Sequence, residues 1–217
     1  SSYIAKSFGK ALEARADDWF ETGTARFDDE PGKRLFPGLH LLPHPSQLDT
    51  LLDGRRGYAK QVPVSTKLFS FNSPEALSFQ GFKDAIFTVR GARFLVDYKT
   101  TKPKVDNRKN AELGKPAGGW TWMKTPEQLL GDYQWNLYQW DEFSKHETFL
   151  PSRWVYFASQ ETPQSRAVDV QRSAIDPDRV KSLCTQLADR ANVLRGYIRG
   201  WRASTDRAAF MASLPKN

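Results

Sequence analysis

Apolar residues recur along this chain with two periods, and the changes of period divide it into elements. In "YIAKSFGKALEARADDWFE", Phe8, Leu12, Ala16 and Trp19 or Phe20 fall three to four residues apart, which predicts an amphipathic first helix over residues 3–21. Residues 22–57 are rich in Pro and Gly, and only "SQLDTLLDG" reads there as a short helix, capped by Ser46 and stopped by Gly54. Strand-like runs follow. "YAKQVPVSTKLF" and "EALSF" read as strands, the first at a sheet edge because Pro63 has no N–H to give a ladder. "GFKDAIFTVRGARFLVDYKTT", residues 81–101, reads as two more, separated by Arg-Gly-Ala-Arg.

The next segment, "TKPKVDNRKNAELGKPAGGW", is too polar and too rich in Gly and Pro for regular structure, and a loop that long usually has a function or is disordered. "TPEQLLGDYQWNLYQWDEFSKH" predicts a second helix, with Thr125 as N-cap, Pro126 in the first turn and Gln128 completing a capping box. "SRWVYFAS" and "AVDVQR" are strand-like. "DPDRVKSLCTQLADRANVLRGYIRGW" predicts a long final helix from Asp176 and Pro177, with Leu183, Leu187, Val193 or Leu194, and Ile198 as its apolar stripe and its arginines outward. The expected fold is α/β with mixed α+β connectivity: a central mixed sheet flanked by the first helix and the 125–146 helix. The 217 residues suit a single domain, with 173–217 as a C-terminal helical extension.

Charge changes the picture at the 81–101 hairpin, which carries Asp84, Asp97 and Lys99 on otherwise core-like strands. A two-residue turn at Gly91–Ala92 would set Asp84 opposite Lys99 and Asp97 opposite Ile86, so that all three share one face. An Asp–Lys salt bridge on a solvated face is the plain explanation. Against it, two neighbouring carboxylates repel unless a cation lies between them, and one lysine neutralises only one. Hard oxygen ligands of this kind suit Mg²⁺ or Mn²⁺.

Gly81-x-x-Asp84, the hairpin and Asp97-Tyr98-Lys99 together resemble the core of the PD-(D/E)XK nuclease superfamily, and Gln134-x-x-x-Tyr138 is similar to the QxxxY motif of its RecB-like branch, which includes phage exonucleases. The resemblance runs in order over residues 3–172 and rests on short motifs. It implies a restriction-endonuclease-like core and metal-dependent hydrolysis of DNA phosphodiesters, by an exonuclease in phage or bacterial recombination or repair. Asp84, Asp97, Lys99, Gln134 and Tyr138 would be catalytic. Glu13, Asp84, Asp97 and the Tyr98 carbonyl would hold the Mg²⁺ or Mn²⁺. In that family a first-helix histidine often stands where Glu13 is found here, four residues after Gly9, and Asp17, one turn on, is the alternative. A non-catalytic nucleic-acid-binding or scaffold protein that kept the fold is the rival reading.

The formal charge of +7 favours an anionic partner. Lys102, Lys104, Arg108, Lys109 and Lys115 would meet DNA phosphates, at linear or single-stranded ends, and Trp120 and Trp122 could stack on unpaired bases. A recombination partner protein is also implied. The single cysteine, Cys184, excludes an internal disulfide and a four-cysteine iron–sulfur cluster, and suits a cytoplasmic location. No GxxxxGK[ST] is present, so no ATP site is expected. No apolar run is long enough to span a membrane, and the first residue, Ser, points to a start that was processed or cut from something longer. His40 and His44 stand four apart, but Pro43 and Pro45 deny them a shared helix, and a metal role is not expected of them.

Overall fold

The structure, a computed structural model, describes residues 2–22, 39, 41–101, 104–158 and 165–215, without the side chains of 2–9, 12 and 13. His40 and Lys102 lie outside what is described, as do the side chains of Phe8, Leu12 and Glu13. Helix α1 is Ser2–Thr22. Five strands, β1 Tyr58–Leu68, β2 Leu77–Val89, β3 Ala92–Thr101, β4 Ser152–Ala158 and β5 Ser165–Val170, form one sheet in the order β1-β2-β3-β4-β5. All neighbours are antiparallel except β3 and β4, which run parallel. A parallel pair needs a crossover. Here it contains α2 (Asn107–Glu112), α3 (Pro126–Leu130) and α4 (Tyr133–His146). Helices α5 (Pro177–Ala203) and α6 (Arg207–Ser213) follow the sheet. This is the expected α/β sheet with flanking helices, and β1, with Pro63, is an edge strand. Among the described residues no helix is long and apolar enough to cross a membrane.

The sheet separates two apolar layers. On one face Ala16 and Phe20 of α1 meet Ala85, Phe87, Val96, Val155 and Phe157. On the other, Trp135 and Leu137 of α4 share a core with Trp154, Tyr156, Val168 and Cys184 of α5, while Tyr138 packs with Ile86 and Leu95. Each of the larger side chains buried this way contributes about 1.5–3 kcal/mol. The inner strand β4 is apolar toward both layers, as a strand covered on both faces must be.

Four local expectations need correction. "EALSF" and "GFKDAIFTV" are not separate strands, because β2 runs unbroken through Gly81. The helix expected after Ser46 is a single 3-10 turn, Pro45–Gln47, capped by His44, because the backbone is extended again at Leu48 and Thr50 then bridges to Arg56. The 125–146 helix is two: Gly131 ends α3, and Asp132 accepts the Trp135 N–H at 3.0 Å to start α4. The Thr125 capping box of α3 is present as expected. The loop after β3 holds α2, begun by Asp106, and closes on buried Asn110, which donates to the Gly119 carbonyl at 2.8 Å.

Candidate active site

The β2–β3 turn is Arg90–Gly91, not Gly91–Ala92, with positive φ at both residues (51° and 75°), the pattern of a type I′ turn. Arginine is unusual there. Asp49 compensates by accepting the Arg90 and Gly91 amides at 2.6 Å each. The register is therefore two residues off the expected one, which preserves the alternation of faces. Val89 pairs with Ala92, and the ladder ends at Ala85 with Val96.

Beyond that last pair the two central strands part. The remainder of β2 pairs with β1, and the remainder of β3 pairs with β4. Asp84 and Asp97 are the first residues on the two arms of this fork, and neither ladder of β2 includes Asp84. Opposite the gap in the β1–β2 ladder, Gln61 takes φ +46°. The splayed strands leave the Tyr98 N–H without a strand partner on β2, and Asp84 Oδ2 accepts it at 2.7 Å.

Asp97 is fully buried and Lys99 about one-third exposed. Lys99 Nζ lies 2.6 Å from Asp97 Oδ2, close but poorly directed for a hydrogen bond, and donates to Gln134 Oε1 at 3.2 Å. The Gln134 amide donates to Tyr138 Oη at 2.6 Å and, at 3.4 Å, to Asp97 Oδ1. Tyr138 in turn donates to the Phe82 carbonyl at 2.7 Å. Burial pushes the Asp97 carboxyl up to about 7; Lys99 opposes this and the Asp84 charge adds to it. Burial also raises Asp84, against the Tyr98 N–H and Lys99. Thus Asp84, Asp97, Lys99, Gln134 and Tyr138 meet at one place, as the sequence predicts, although Asp97 rather than Asp84 takes the lysine.

On the α1 side Asp84 lines a cavity of about 130 Å³ with Asp17, Tyr58, Lys60, Gln61 and Tyr98. Asp17 is engaged there by Lys60 at 2.6 Å and by the Tyr58 hydroxyl at 3.0 Å. Glu13 sits one helical turn before it on α1. Among the described residues no group of three or more His, Cys, Asp or Glu side chains is placed to hold a metal ion. The pair that is present has the hard oxygen chemistry of a Mg²⁺ or Mn²⁺ site, and a cation would offset the burial and, after it, the Asp84 charge that raise Asp97. These two donors fit such an ion.

The basic loop only partly offers its charges. Lys104 and Arg108 are exposed, Arg108 beside Glu112 at 3.4 Å. Lys109 lies over the ring of Trp122, 4.2 Å from its centroid. Lys115 is turned inward: its ammonium donates to the carbonyls of Thr121 and Met123, so it shapes the loop instead of presenting charge. Trp120 is buried core. A residue the sequence reading missed is Lys124, which pairs with Asp132 and shares the ring of Trp154 with Lys99, at 5.5 and 4.7 Å from its centroid. Its only sequence signal is a basic residue just before a helix cap.

No family model and no curated protein matches the chain. Among solved structures, a "putative exonuclease" from Eubacterium rectale superposes with a TM-score of 0.51 at 14% identity, over 99% of this chain and 76% of that one. This likeness is one of fold. SSO0001, at 14% identity and a TM-score of 0.38, matches 63% of this chain and half of its own length, too little to bear on the fold.

Proposed function

We propose that the chain is a divalent-metal-dependent deoxyribonuclease acting at DNA ends. The observation that carries this reading is the fork: two carboxylates head the diverging strands, and a lysine braced by Gln134 stands against one of them. The fold shared with the exonuclease-like neighbour supports it, as does the resemblance of the motifs. A role in recombination or repair accompanies the same reading.

Asp84 and Asp97 would hold Mg²⁺ or Mn²⁺, with the Tyr98 carbonyl and Glu13 as further donors. Such a cation, when bound, lowers the pKa of water and neutralises charge on a phosphate. Lys99 orients the attacking water or stabilises the charge developing on the phosphate. Gln134 positions that ammonium through its carbonyl, and its amide group is itself fixed by Tyr138. Burial of Asp97 keeps bulk water from one side of the lysine.

The rival reading, a scaffold that binds nucleic acid without cutting it, is favoured by Glu13 standing where the resemblance calls for a histidine. Incubation with linear and circular DNA in Mg²⁺, Mn²⁺ or EDTA separates the two. Loss of linear DNA alone, in either metal, supports an exonuclease. Nicking of circles indicates an endonuclease. Binding without cleavage in any metal leaves the scaffold.

A further inference from the structure

We infer that the loop between β3 and α3 docks an unpaired nucleotide of the DNA end, its base on Trp122 and an adjoining phosphate at Lys124. This rests on the nuclease reading above and assigns the substrate an unpaired end. Two tryptophans close the loop, and they differ in kind. Trp120 is 2% exposed and belongs to the core, whereas Trp122 is 54% exposed. Exposing an indole forgoes the gain of burying it, and its half-exposed π-face can receive a base, which stacks on aromatic rings irrespective of sequence.

The ring does not float on a loose tip. Thr121 N–H bonds to the Lys104 carbonyl at 2.9 Å, Thr121 Oγ1 accepts the Asp106 N–H at 2.9 Å, and Lys115 grips the carbonyls on either side of Trp122. Lys109 lies over one face of the ring, so a stacking base takes the opposite face or displaces that ammonium toward its phosphate. Two residues on, within about 7 Å along the chain, Lys124 stands over Trp154, the strand neighbour of Asp97. Lys99 lies over that same ring. An aromatic face, a flanking cation and a second cation therefore lead in order from the loop to the fork. Asp132 balances Lys124 in the absence of DNA, and an incoming phosphate exchanges with it.

The test measures binding in EDTA, where no cleavage occurs, to fluorescein-labelled oligothymidylate and to a blunt hairpin duplex. Trp122→Ala is expected to weaken oligothymidylate binding about tenfold while leaving the blunt duplex within roughly threefold, and Trp122→Phe to restore most of the loss. Lys124→Gln is expected to reduce the salt slope for the single strand by about 0.7. Unchanged oligothymidylate binding by Trp122→Ala, or an equal loss on both DNAs, overturns the inference. An unchanged slope in Lys124→Gln removes the phosphate contact and overturns the site as drawn. Circular dichroism melting of each variant separates loss of binding from loss of fold. Cleavage in Mg²⁺ or Mn²⁺ is scored separately, so an inactive protein that still discriminates single strands refutes the nuclease and not the docking site.

Discussion

Asp84 accepts the main-chain N–H of Tyr98 at 2.7 Å, across the opening where the two central strands part. A carboxylate has replaced a strand carbonyl as acceptor, so the backbone remains satisfied while the sheet opens beside Asp97. The opening places both acids side by side, and burial does the rest.

The first prediction concerns pH. In the folded chain burial, despite Lys99, lifts Asp97 to about 7, against roughly 3.9 in the unfolded chain. Between those values the folded state holds a proton that the unfolded state has released. Stability contributed by this group therefore falls as pH rises from about 4 to 7. In EDTA, Asp97→Asn is expected to be more stable than the wild type at pH 8, on the order of 1–3 kcal/mol, with the difference shrinking toward pH 5. Urea melts at both pH values check this; a difference that does not vary with pH would assign the titration elsewhere.

Lys99→Ala should cut the rate of cleavage by about 10²–10³ while leaving DNA affinity within roughly threefold. One ammonium among many phosphate contacts adds little to affinity, whereas one aimed at developing charge adds much to rate. Single-turnover cleavage beside binding in Ca²⁺ reads both, and a parallel loss of affinity would make Lys99 a binding residue.

The third ligand is tested on α1. Glu13→Gln is expected to raise the half-saturating Mg²⁺ at least about tenfold, equivalent to about 1.4 kcal/mol. Asp17→Asn is expected to change it little, because Asp17 is already held by Lys60 and Tyr58. The reverse pattern in a Mg²⁺ titration of activity would make Asp17 the ligand and its bond to Lys60 a resting contact.

Lys83 is fully buried and pairs with Glu142 at 2.6 Å and with Asp141. Lys83→Met leaves both acids in the core with reduced compensation, and is expected to cost about 3–5 kcal/mol. Denaturant melts measure this. A loss below about 1 kcal/mol would mean that Arg93 and Lys145, which also reach these acids, suffice without it.

Much of this was legible in the sequence, because local chemistry decides it. Thr125 and Gln128, like Asp176, cap helices by accepting backbone amides a few residues away, and Pro126 and Pro177 fit the first turn. The alternation of faces likewise put Asp97 and Lys99 on the same side of β3, where Gln134 of α4 meets them. What was not legible depended on distant partners. Arg90 accepts a left-handed backbone because Asp49, far back in the chain, holds the turn amides, so the turn fell one residue earlier than glycine preference indicates. Lys115 looks like any loop lysine until the carbonyls that receive it are known. The break at Gly131 was visible as a Gly-Asp pair, but the apolar run across it hid the stop.

Lys83 immediately precedes Asp84, and it is bolted to α4 through Asp141 and Glu142. The neighbouring Phe82 carbonyl is held by Tyr138 of the same helix, and the other arm is held through Lys99 on Gln134. Helix α4 is thus a brace across the open jaw of the sheet, bonded to both arms where no ladder joins them to each other. The gauge between Asp84 and Asp97 therefore depends on a helix as well as on the strands that carry the acids. A buried ion cluster with no chemistry of its own then becomes the fixed end of that calliper, and loosening it would retune the span between the acids without altering either one.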